Sequence, residues 1–162
     1  VYADVHQYPW HRTWVKMLEG IYNFLRLTDR LATSGQPTEK QFQKIGLAGF
    51  EVVINLGLTG TDYALEDEAD LVRGLGMKYI HIPIIWENPT LDNFDEFTSM
   101  MDLHQGNKVF IHCAANMRVS VFMALYRVLH LGWDRERAME DVRKIWEPDA
   151  TWDALIQQVL NG

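Results

Sequence analysis

One cysteine in 162 residues has nothing to pair with, so no internal disulfide holds this chain together. A single thiol also falls short of a structural zinc site, and His6, His11, His81, His104 and His130 show no close metal-ligand spacing. No metal or other cofactor is therefore expected. No run approaches eighteen apolar residues, which excludes a membrane-spanning helix. Positive charge is in deficit: 15 Lys and Arg against 22 Asp and Glu leave a formal net charge of -7. A nucleic-acid partner needs the opposite balance, and none is expected. Internal repeats, low-complexity tracts and linkers are missing too. With 48% hydrophobic and 23% charged residues, the composition is that of one folded domain over residues 1–162, with 1–20 as an N-terminal arm and helix. The sequence begins at Val1 without methionine, which suggests that an export signal was removed or a cloning boundary crossed; export to the periplasm is the preferred expectation.

What is present is an alternation of strand and helix patterns. Residues 1–10 show no period and are expected to be extended, while Trp14, Met17, Leu18, Ile21 and Tyr22 have helical spacing over 10–24. Trp10 and Trp14 are expected to cover an edge of the core. One or two short strands are expected over 25–33, around Thr28-Asp29-Arg30. Thr38 followed by Gln41 is a capping box, opening a helix that ends at Gly46 or Gly49. Residues 51–56 form a continuous β-branched run of the kind buried on both faces, and 57–64 a Gly- and Thr-rich loop after it. An acidic helix over 65–75 follows, its first-turn Glu66, Asp67 and Glu68 expected on a solvated face. A strand over 78–83, a loop over 84–90 and a helix over 91–104 come next. Asp134 and Asp149 can cap helices over 135–146 and 150–160. This pattern predicts a three-layer α/β domain with a mainly parallel central sheet of 4-5 strands flanked by helices.

The stretch 108–131 concentrates the chemistry. Val109, Phe110 and Ile111 form a strand-like apolar run, and Phe122, Leu125, Tyr126 and Leu129 give an apolar helix over 119–131. Between them lie Cys113, Ala114, Ala115, Asn116, Met117 and Arg118. A strand feeding a helix through a tight loop aims unpaired N–H groups and the positive end of the helix dipole at one point. An anion is welcome there, and a thiol is pushed toward the nucleophilic thiolate. Arg118 offers a planar fork that fits two phosphate-like oxygens. Asn116 is the non-glycine type that tolerates the positive φ such a loop needs. Taken alone, a free cysteine is most often a small buried hydrophobe; strand, loop, helix and arginine arriving together favour a reactive one.

His112-Cys113 after a strand, an arginine, a serine just beyond it and an apolar helix together resemble the phosphate-binding loop of the cysteine-dependent phosphatases, in particular their small dual-specificity-like members. Thr33-Ser34-Gly35-Gln36-Pro37-Thr38, Gly49-Phe50-Glu51-Val52-Val53-Ile54-Asn55-Leu56, His81-Ile82-Pro83 and His112-Cys113-Ala114-Ala115-Asn116 are more narrowly similar to a bacterial phosphatase-like domain family, whose domain also occurs fused to metallo-β-lactamase-like hydrolases. The resemblance covers roughly residues 20–131. It departs from the phosphatase pattern in the loop: four residues, not five, separate Cys113 from Arg118, Asn116 replaces a glycine, and Val119 stands where Ser or Thr is usual, with Ser120 one place later. That spacing is closer to many rhodanese-like sulfurtransferases, whose loop surrounds a persulfide.

The resemblance implies phosphoryl transfer by a cysteine phosphatase fold, with Cys113 as nucleophile and Arg118 and the loop of Ala114, Ala115, Asn116 and Met117 holding the phosphate. It implies that His112 organises loop backbone groups. Ser120 either stabilises the leaving thiolate or bonds back to a helix carbonyl. The family acid is an aspartate on the loop after Ile82-Pro83; residues 84–88 contain none, so Glu87 is the nearest carboxyl, and Asp92 is better placed to cap the following helix. The expected partner is a phosphorylated small molecule or phosphoprotein. Two alternatives stay open: sulfur transfer through a Cys113 persulfide, acting on a sulfur compound, and a non-catalytic module binding a phosphate or sulfate ligand.

Overall fold

Five strands lie side by side in the order β1-β2-β5-β3-β4: β1 (Leu25–Thr28), β2 (Leu31–Ser34), β3 (Val52–Asn55), β4 (Lys78–His81) and β5 (Val109–His112). β5, the cysteine strand, is central, as its apolar flanks predict. It runs parallel to both neighbours, with Phe110 level with Ala32 and Val53, and His112 level with Ser34 and Asn55. β1 and β2 form an antiparallel hairpin that turns through Asp29-Arg30, so the sheet is mixed but mostly parallel. The computed structural model describes residues 9–162, with side chains from Trp14 onward. The extended arm expected over 1–10 thus lies largely outside the described residues; Pro9 and Trp10 instead open a helix.

Side-chain alternation along the strands creates the layers. Val109 and Ile111 point into one apolar cluster and Phe110 into the other; Val52 and Ile54 part from Val53 in the same way. One face is covered by α1 (Pro9–Leu18), α2 (Glu39–Leu47) and α3 (Glu68–Gly74), through Trp14, Leu18, Phe42, Ile45 and Val72. The other is covered by α4 (Leu91–Leu103), α5 (Met117–Leu131), α6 (Arg135–Arg143) and α7 (Ala150–Asn161), through Phe97, Phe122, Val142 and Trp152. Each fully buried large side chain contributes roughly 1.5–3 kcal/mol relative to exposure, so strands only four residues long suffice.

The helix boundaries follow their caps. Thr38 and Gln41 form the expected capping box, and Asp134 and Asp149 each accept the N–H bond expected of them. Asp92 does not cap α4: Thr90 does, in a second capping box with Asn93, and Asp92 is exposed within the first turn. α5 is buried on nearly every side, although Leu129 is exposed. α6 stops short of Trp146, whose ring packs with Trp86 and Trp152.

Candidate active site

Cys113 directly follows the end of β5, at the edge of the sheet where parallel strands deliver ligand-binding loops. It is fully buried at 0% exposure and belongs to the apolar cluster under α5. The next three residues reverse the chain into α5, and Asn116 makes the turn at φ 64° as the residue before the helix. Its side chain does not cap α5. Asn116 Nδ2 instead donates to the Asn23 carbonyl at 2.8 Å and to Thr33 Oγ1 at 3.0 Å, leaving its Oδ1 buried with no donor. The N–H groups that open α5, those of Met117, Arg118 and Val119, therefore lack both an intrahelical acceptor and a capping oxygen.

Neighbouring chain clamps this loop from one side. Gln36 N–H donates to the Ala114 carbonyl at 3.0 Å, Cys113 N–H to the Ser34 carbonyl at 3.4 Å, and Asn23 Nδ2 to the Ala115 carbonyl at 2.9 Å. Gly35 sits against the loop so closely that a Cβ there would meet the Ala114 oxygen and Tyr22 Cδ1, both at 2.7 Å. The Ser34-Gly35-Gln36 turn thus holds Ala114 and Ala115 in place.

Arg118 is 6% exposed and reaches to the other side. Its Nε donates to the Ile84 carbonyl at 2.9 Å, and its guanidinium lies 5.3 Å from the centre of the Trp86 ring. Both contacts come from the loop after β4. Glu87 follows Trp86 in that loop, exposed, in a turn closed by the Asn88 N–H bond to the Ile85 carbonyl at 3.0 Å. The loop is pinned from below, where Trp152 Nε1 donates to the Trp86 carbonyl at 3.0 Å. Ser120 Oγ donates to the Met117 carbonyl at 2.8 Å and accepts from Trp146 Nε1 at 3.1 Å. Of its two expected roles, the bond back to a helix carbonyl is the one observed.

The acidic helix departs most from expectation. It begins at Glu68, not at residue 65, and Glu68 is 5% exposed, far from a solvated face. Its carboxylate collects four donors. His112 Nε2 at 2.8 Å, Tyr79 Oη at 2.9 Å and Asn55 Nδ2 at 3.1 Å reach Oε2, and Gln36 Nε2 reaches Oε1 at 2.6 Å. Burial works to raise this carboxyl, but the hydrogen bond and charge of His112, with the bonds from Gln36 and Tyr79, outweigh it and hold it below the usual range. Burial, reinforced by the nearby Glu68 charge, pushes the Tyr79 hydroxyl well above its ordinary value despite the bond from Asn55, so it stays a donor. Four adjacent pieces of the sheet edge meet at one carboxylate. A cleft of about 220 Å³ opens beside it, lined by Asn55, Glu68, Tyr79 and His81 and not by the thiol. None of Gln36, Asn55, Glu68 or Tyr79 stood out as a site residue in the sequence. The available signal was a carboxylate in the apolar stripe of α3, four residues before the buried Val72.

The family described as "DSP-PTPase phosphatase fused to NAD+ Kinase" matches residues 23–152. The "Putative phosphatase (DUF442)" of Shewanella putrefaciens CN-32 superposes with a TM-score of 0.82 at 34% identity, covering 91% of this chain and 97% of that one. Tk-PTP in its active form shares the fold, with a TM-score of 0.67 at 23% identity over 86% of this chain and 94% of that one. The Beta-lactamase hydrolase-like protein of Xylella fastidiosa (strain Temecula1) is 27% identical over 106 residues, 64% of this chain. The chain matches only about a quarter of that protein's length, 24%. With one cysteine placed between the central strand and α5, and with these likenesses over most of its length, the chain belongs to the DSP-PTPase phosphatase family that occurs fused to NAD+ kinase.

Proposed function

We propose that the domain hydrolyses phosphate monoesters through a phosphocysteine on Cys113. The observation that supports this reading is the chain reversal at Asn116, by which the short loop that begins at Cys113 enters the uncapped N-terminus of α5. In the first step the thiolate attacks phosphorus in line, the S–P bond forms and the P–O bond to the leaving group breaks. The open N–H groups of the loop and the Arg118 guanidinium take up the charge on the equatorial oxygens. Glu87 delivers its proton to the departing oxygen; its support is the contact of Ile84 and Trp86, from the same loop, with Arg118. In the second step water attacks phosphorus, its proton passes to Glu87, and the S–P bond breaks to return the thiolate.

The substrate class is a phosphorylated small molecule or phosphoprotein. Hydrolysis of an aryl phosphate by the purified protein, unchanged by a metal chelator and lost in Cys113→Ser, is the expected result. Equal turnover by wild type and Cys113→Ser would remove the cysteine from the mechanism. The four-residue spacing between Cys113 and Arg118 favours sulfur transfer as a second reading. Thiosulfate-to-cyanide turnover with one sulfur atom added to the intact mass, in a protein inert to aryl phosphate, would replace the phosphatase.

A further inference from the structure

The buried carboxylate that the reaction scheme leaves unused points to a second-tier role. Taking Cys113 to act as a thiolate, we infer that Glu68 is a positioning residue that holds His112 in its doubly protonated form, fixing a full positive charge one residue from the nucleophile. The hydrogen-bond geometry supports this. All four groups in contact with the Glu68 oxygens are donors, so the carboxylate has no proton to offer and accepts from His112 Nε2 at 2.8 Å. His112 Nδ1 faces the Cys113 carbonyl oxygen at 3.3 Å, another group that can only accept. A ring with an acceptor at each nitrogen is satisfied only when both nitrogens carry hydrogen. A neutral ring would turn a lone pair toward one of the two oxygens, in a place closed to bulk solvent: His112 and Cys113 are both 0% exposed.

The surroundings leave Glu68 as the partner. Phe42 of α2 meets the His112 ring edge-on, with centres 5.6 Å apart, and supplies no charge. From β4, Tyr79 bonds to Glu68, while His81 stacks on Tyr79 at 6.2 Å and Arg73 of α3 lies 6.0 Å from the Tyr79 ring; both side chains contact Tyr79 and have no hydrogen bond to His112. Asp67, just before α3, and Asp70 within it line the cleft and are exposed. Arg118 is tied to the loop after β4. Glu68 is thus the one carboxylate in hydrogen-bond contact with His112 among the described residues. A positive charge beside a thiolate in a buried site acts at a lower effective dielectric than in water, where it favours the charged sulfur more strongly.

The test follows the thiolate itself, by its ultraviolet absorption against pH, with Cys113→Ser as the blank; one cysteine makes the signal unambiguous. Glu68→Gln, checked for folding by near-ultraviolet circular dichroism, is expected to form its thiolate only at a proton concentration at least about tenfold lower than wild type. The acid limb of kcat/KM should move in parallel. Tyr79→Phe, which removes a donor to Glu68 but leaves the Glu68–His112 pair, should shift the thiolate much less. If Glu68→Gln does not fold, the nitrogen-15 spectrum of His112 in the unaltered protein decides, with protons expected on both ring nitrogens at neutral pH. A bare ring nitrogen in that spectrum, or a folded Glu68→Gln that titrates like wild type, overturns the inference. Thiol titration needs no turnover, so failure to hydrolyse phosphate would sink the proposed reaction while leaving this result readable.

Discussion

Asn116 does two things that a single replacement can separate. Its backbone supplies the φ of 64° that turns the chain into α5, and its side-chain amide ties the loop to Asn23 and Thr33. Asn116→Gly keeps the turn and loses two hydrogen bonds, an expected cost of about 1–3 kcal/mol in chemical denaturation. Asn116→Ala also pays the left-handed penalty and should cost about 1–2 kcal/mol more. Arg118 likewise has two attachments, the Ile84 carbonyl and the Trp86 ring. Lysine retains the charge but not the fork, so Arg118→Lys should lower kcat/KM by roughly 10²–10³, with phosphate binding weakened alongside. Glu87→Gln is expected to cut kcat by about 10² on alkyl phosphates and far less on substrates with acidic phenol leaving groups, which depart without a proton. Equal losses on both substrate types would assign the acid elsewhere.

Among the elements, the Ser34-Gly35-Gln36 turn and the cysteine loop depend on each other's backbone. A methyl group at Gly35 would fall 2.7 Å from the Ala114 oxygen, and backbone cannot yield as a flexible side chain can. Gly35→Ala should therefore cost about 1–3 kcal/mol in stability and also depress activity, because relief requires shifting the Ala114 backbone in the loop that directly follows Cys113. Wild-type activity in that variant would show that the loop tolerates displacement. β5, the loop and α5 were legible in the sequence because each carries a local signal: a β-branched or aromatic run, a residue tolerant of positive φ, and an apolar helix. The capping box at Thr38 and the capping aspartates Asp134 and Asp149 were legible for the same reason. α4 begins at residue 91 as its pattern predicts, but its N-cap was misassigned to Asp92, because Thr90 and Asn93 close the first turn reciprocally as a pair. Glu68 was illegible for a deeper reason. An acidic residue in a helix's first turn ordinarily faces water, and only the convergence of β2, β5, β3 and β4 brings four donors to it.

At the scale of the whole molecule, that convergence makes the sheet edge acid-sensitive. Glu68 and Asp141 are both held below the usual carboxylate range; for Asp141 the bonds from Lys144 and Arg127 and their charges overcome burial. A carboxyl whose folded pKa is depressed contributes stability that is fully present above its unfolded pKa, near 4, and is lost as pH falls through the folded value. Removing the Glu68 carboxylate strands His112 and should cost about 3–5 kcal/mol at neutral pH, measured as Glu68→Ala against wild type. The gap should narrow as pH falls below about 4, and a gap that stayed constant with pH would show that Glu68 contributes by packing alone. The three layers themselves were legible from alternation along the strands and apolar spacing along the helices. The contacts between the Ile84–Glu87 loop, Arg118 and Trp152 of α7 were not, since they join residues more than thirty apart that share no local pattern. The whole scheme turns on a covalent phosphorus–sulfur bond at one residue. Acid-quenching the protein during turnover of an aryl phosphate and weighing its peptides should find one phosphoryl group on the peptide holding Cys113, and none in Cys113→Ser. Steady turnover with that peptide unmodified at every quench time, and with Cys113→Ser equally active, would contradict it.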